Sequence, residues 1–212
     1  MSVETIFADP FHDSGRPGAA ARPPTRRTVG HVPGEAGIWV FIFGDLFAFS
    51  LMFGVFLYAR AQQESVFDTS RATMSLTFGA TNALLLITGS LFVVMGLQAC
   101  KDDAARRAPR LFALAMACGA AFVINKCFEW NDHLGHGYKP STNDFYMYYY
   151  VFSGIHLLHL LVGLLALAFM LSVSRKPRLA TRDIRNLESC ASFWHLIDLL
   201  WIVLFALLYL VG

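Results

Sequence analysis

Apolar residues fall into five long blocks along this chain, running approximately from Ala36 to Ala59, Ser75 to Ala99, Leu111 to Trp130, Tyr146 to Ser172 and Ala191 to Val211. Each is long enough to cross a hydrocarbon core of about 30 Å as a helix, which takes roughly 20 residues. The pattern therefore predicts an all-α membrane bundle of five transmembrane helices. Positive residues sort by connection. Residues 1–35 hold Arg16, Arg22, Arg26 and Arg27. The second connection holds Lys101, Arg106, Arg107 and Arg110, and the fourth holds Arg175, Lys176, Arg178, Arg182 and Arg185. The first connection has only Arg60 and Arg71, and the third only Lys139. Retention of positive charge on the cytoplasmic side places the N-terminus inside and the C-terminus outside.

Composition agrees: of 212 residues, 56% are hydrophobic and 15% charged, against about 25% charged in soluble domains. A net charge of +2 without a basic patch argues against a nucleic-acid partner. Residues 1–33, with RPGAAARPPTRR, read as a disordered cytoplasmic tail lacking the apolar core and cleavage site of a signal peptide. Residues 34–212 form one membrane domain, with connections too short for a soluble module. Cys100, Cys118, Cys127 and Cys190 make no CxxC pair, so neither a disulfide nor a metal thiolate is expected.

Ionisable residues inside the spans carry the chemistry, because each costs about 2.5–3.5 kcal/mol at a helix centre unless it meets a partner or water. They are Asp45; Lys126 and Glu129; His156 and His159; and His195 and Asp198. The three pairs are spaced i, i+3 and so share a helix face. Lys126 and Glu129 are expected to form an intramembrane ion pair near the outer end of their helix, with stems able to snorkel to the interface. That pair either fixes its helix against a neighbour or contributes to a polar path. At 1.5 Å per residue, Asp45, His159 and Asp198 fall at similar depth, about 10–20 Å from the cytoplasmic face. We therefore expect Asp45, His156, His159, His195 and Asp198, with Glu188 at the boundary, to form one polar cluster, which either moves protons or fixes packing.

Ser75, Asn82, Gly89 and Gly96 recur every seven residues on the second span. This small-residue stripe predicts close helix packing with Asn82 bonding across it. FYMYYY, residues 145–150, is expected to be an interfacial aromatic belt. The histidines carry no HExxH, CxxCH or repeated ExxH pattern, and no metal site is expected. A haem, if held, would use His156 or His159 with His195.

These residues in this order resemble subunit III of the haem-copper oxidases in its five-span form. The match is carried by SFWHLIDLLWIVLF, residues 192–205, with Glu188 before it; by FSGIHLLHLLVG, residues 152–163; and by Lys126 with Glu129 and Trp130. In the second motif Gly154 and Gly163 flank the histidines as packing positions. The resemblance implies a non-catalytic accessory subunit of a respiratory, proton-translocating oxidoreductase in a prokaryotic inner membrane. It would pack on subunit I, with subunit II, hold no cofactor itself, leave haem and copper to those partners, contact phospholipid, and support proton uptake. Where the family usually has glutamate on its first conserved helix, this chain has Asp45, one methylene shorter. The two extra N-terminal helices of longer members, which form a lipid cleft, are absent. The wording of HVPGEAGIWVFIFGDL, NKCFEW and NDFYMYYY resembles the branch associated with nitric oxide reductases. Two other classes compete: a small proton or solute transporter, which would show inverted repeats or Pro-interrupted helices, and a haem- or quinone-binding membrane anchor.

Overall fold

The structure is a computed structural model that describes residues 35–102 and 105–210. The expected tail, 1–33, lies outside these residues. The described chain is helical throughout: α1 (Ala36–Gln62), α2 (Glu64–Arg71), α3 (Leu76–Lys101), a 3₁₀ turn (Ala105–Arg107), α4 (Ala108–Gly135), α5 (Asp144–Val173) and α6 (Thr181–Phe205), which continues into a π turn (Ala206–Leu210). Five of the helices are long and apolar enough to cross a membrane, so the expected five-span, all-α integral membrane fold is borne out.

Helix ends differ from the apolar blocks where polar residues extend or cap a helix without interrupting it. Helix α6 begins at Thr181 rather than near Ala191. There the Asp183 carboxylate accepts from the Ala180 amide at 3.0 Å and pairs with Lys176 at 2.7 Å. Pro109 opens α4 where its missing N–H costs nothing, and that helix runs to Gly135. Asn143 caps α5 by accepting from the Tyr146 amide at 3.1 Å. The first connection, expected as a loop, holds α2, whose Phe67 is buried against Phe56 and Phe145.

Helices α3, α4, α5 and α6 form the packed interior, with α3 lying along α4 and both α4 and α6 along α5. Helix α1 rests more lightly on α5 and α6. Its other flank exposes Val40, Phe43, Phe47, Leu51 and Val55, apolar surface suited to lipid chains rather than water. Half of the FYMYYY run turns inward: Phe145, Tyr146 and Tyr149 are buried, because α5 turns that face onto α2 and α4, while Met147 is exposed.

Candidate functional site

The interior polar residues are best built up from α4. One helical turn brings Lys126 Nζ within 3.0 Å of Glu129 Oε2. The ammonium also donates to the Tyr149 hydroxyl at 3.2 Å and the Tyr209 hydroxyl at 3.1 Å, so each of its three donors has an acceptor. Both phenols in turn donate to Glu129 Oε1, Tyr149 at 2.8 Å and Tyr209 by a shorter bond. Trp201 and Tyr149 offer ring faces to the same ammonium, at 5.1 and 4.6 Å. Lys126 is 1% exposed and Glu129 0%. The snorkelling expected of them does not occur: an outward stem would leave Glu129 without its cation, whereas the inward rotamer closes a ring of hydrogen bonds across α4, α5 and α6. The π turn at the end of α6 carries Tyr209 into this ring.

The expected single cluster is instead divided among separate contacts. His159 Nε2 lies 3.2 Å from Asp45 Oδ1, joining α5 to α1. Its Nδ1 faces the Ile155 carbonyl at 2.8 Å. A carbonyl only accepts, so Nδ1 carries hydrogen; a proton must then also lie between Nε2 and the carboxylate for those two to bond. Asp45 and His159 thus hold one proton jointly. Asp45 Oδ2 has no hydrogen-bond partner.

His195 Nδ1 lies 2.5 Å from Ser90 Oγ on α3, and Asp198, one turn along α6, is buried. Glu188 pairs with Lys101 at 2.6 Å, tying the start of α6 to the end of α3. His156 is fully buried between Phe122 and Trp201, at ring separations of 5.5 and 5.1 Å, and neither ring nitrogen has a hydrogen-bond partner. The depth argument places these residues along their helices, but the direction in which each helix turns its face separates them. Among the described residues no three histidine, cysteine, aspartate or glutamate side chains group as a metal would require.

No family model matches the chain. It is 29% identical over 175 residues to a protein named cytochrome c oxidase subunit 3 from Thermostichus vulcanus, covering 82% of this chain and 85% of that one. A protein of the same name from a Synechocystis species is 28% identical over 193 residues, covering 85% and 82%. One from Bacillus sp. strain PS3 is 26% identical over 182 residues, covering 83% and 84%. These similarities along most of the chain support the haem-copper oxidase subunit III family.

The stripe on α3 is a line of close approach. Asn82 is buried and accepts from Asn125 Nδ2 at 2.8 Å. A methyl group added at Gly96 would meet the Phe112 ring at 2.7 Å, and one at Gly89 would meet Cys118 at 3.3 Å. A methyl group at Gly163 would meet Ile197 at 2.6 Å. Gly154 departs from the packing role expected of it: a methyl group there would meet only Trp130, at 4.0 Å. Sequence reasoning passed over Tyr149, Tyr209, Ser90, Asn125 and Gly119. For Ser90 and Asn125 the available signal was a small polar residue inside an apolar block facing another such block. For Tyr209 it was a lone phenol at the end of one.

Proposed function

We propose that this chain is the accessory subunit III of a haem-copper terminal oxidase in a prokaryotic inner membrane. It packs on subunit I, beside subunit II, leaves haem and copper to those partners, and supports proton uptake and complex stability. The observation that carries this reading is that proteins named cytochrome c oxidase subunit 3 align with more than four-fifths of the chain. Its interior fits an accessory part: Lys126, Glu129, Tyr149 and Tyr209 bond to one another, which holds helices in place without offering a nucleophile paired with a base.

Asp45 and His159 are the groups suited to exchanging a proton. They share one at 3.2 Å, they lie on the lightly packed α1–α5 seam, and they remain partly accessible, at 13% and 18%. Released to the partner's proton path and rebound from the adjacent aqueous phase, that proton would buffer uptake there.

Purification in mild detergent tests the assembly. The expected result is a complex with a larger subunit, haem absorption that stays with that subunit when the two are separated, and oxygen consumption only by the complex. Nitric oxide consumption in its place would move the chain to the reductase branch, and haem absorption or turnover by the isolated chain would overturn the reading. In the reconstituted complex, Asp45→Asn is expected to slow proton uptake or hasten inactivation during turnover. Unchanged kinetics with normal assembly would leave Asp45 a packing residue.

A further inference from the structure

Between α1 and α6 lies a groove of about 320 Å³, walled by Trp39, Ile42 and Leu46 on one side and Leu199 on the other, with Ser192 and His195 as its polar residues. The proton-exchange reading above does not use His195. Its ring is held from behind, Nδ1 against Ser90 Oγ at 2.5 Å. A serine hydroxyl can accept from Nδ1–H, and in that tautomer the neutral ring carries a lone pair on Nε2, the nitrogen this bond leaves open.

We propose that this groove binds the hydroxylated ring of a membrane quinol, one phenolic hydroxyl donating to His195 Nε2 and the apolar tail lying along Ile42, Leu46 and Leu199. Three observations select this occupant. The polar residues are a hydroxyl and a histidine held by a serine, which suits a neutral hydroxyl donor. Among the described residues no lysine or arginine lines the groove, so those residues offer a phospholipid phosphate no cation. The walls are apolar and include an indole, as a flat ring with an isoprenoid tail requires. In this tautomer the oxidised quinone, a pure acceptor at its carbonyls, finds Ser192 alone as donor among these polar residues and binds more weakly. The assignment concerns binding alone and does not depend on which larger subunit the chain joins.

The test is photolabelling of the intact detergent-purified complex with an azido-substituted short-chain quinol, followed by peptide mapping of this chain. Label is expected on 39–46 and 192–199, displaced by decylubiquinol and less well by decylubiquinone. His195→Phe should reduce the displaceable label about tenfold, the loss of one good hydrogen bond. Leu199→Trp fills the groove from its exposed rim, leaves the Ser90–His195 contact intact, and should abolish the label. Retention of haem in each variant complex establishes that assembly is normal. Label elsewhere on the chain, equal displacement by phosphatidylglycerol, no loss in either variant, or label only after the chain is separated from its partners would each overturn the proposal. The last outcome would assign the groove to a neighbouring subunit's helix.

Discussion

Lys126 and Asp45 are both charged residues in helices of mostly apolar neighbours, yet their surroundings treat them in opposite ways. Around Lys126 and Glu129 three helices contribute hydroxyls and ring faces until every ammonium hydrogen is used. Around Asp45 there is one bond, to His159, and an oxygen with none. A saturated polar site resists any change of charge or position, because each group is the only compensation for the next. A site with a spare acceptor at a thinly packed seam can alter its protonation without dismantling the bundle. The contrast separates what holds this chain together from what it can use.

Removing Glu129 probes the saturated site most severely. Glu129→Ala strands Lys126 in the interior and should cost about 3–5 kcal/mol, seen as a large drop in thermal stability in detergent. Adding Lys126→Met should recover much of that loss, and failure of the double variant to recover would show that the phenols, not the ion pair, govern the site. Tyr209→Phe removes one of three acceptors and should cost about 1–3 kcal/mol in the same melt; a loss below about 0.5 kcal/mol would mean that the π turn contributes little to closure. Asp45→Asn should change stability by less than about 1 kcal/mol, as expected of a partly accessible pair, while altering proton uptake. A stability loss as large as that of Glu129→Ala would erase the distinction between the two sites. Smallest, Gly154→Ala should raise stability by about 0.5–1 kcal/mol, since helix propensity improves and nothing is crowded. The same change at Gly163, where the added methyl would meet Ile197 at 2.6 Å, should lower it.

What was legible in the sequence follows from what is local. The five apolar blocks specify five long helices because burial in lipid requires continuous apolar length. The Lys126–Glu129 pair was readable because i, i+3 spacing on one helix already brings the two side chains together. Its inward turn was not readable, since the phenols that close the ring come from α5 and α6, 23 and 83 positions along the chain from Lys126. Depth along a helix predicted that Asp45 and His159 could meet. It said nothing of azimuth, and so it merged them with His156, His195 and Asp198, which face Phe122 and Trp201 or Ser90 instead. The tyrosine run shows the same limit: aromatic rings suit a membrane boundary and a helix seam equally well, and packing alone reveals that Tyr146 and Tyr149 turn inward.

The reach of Tyr209 bears on how the chain is made. Lys126 and Glu129 enter the bilayer while the residues that complete their site are still being translated, so a nascent chain passes through a stage with an ammonium only partly solvated in hydrocarbon. That stage ends when the segment bearing Tyr209 docks. Docking therefore doubles as a completion signal, and chains stopped short of it would keep the exposed charge that membrane proteases and insertion chaperones can recognise.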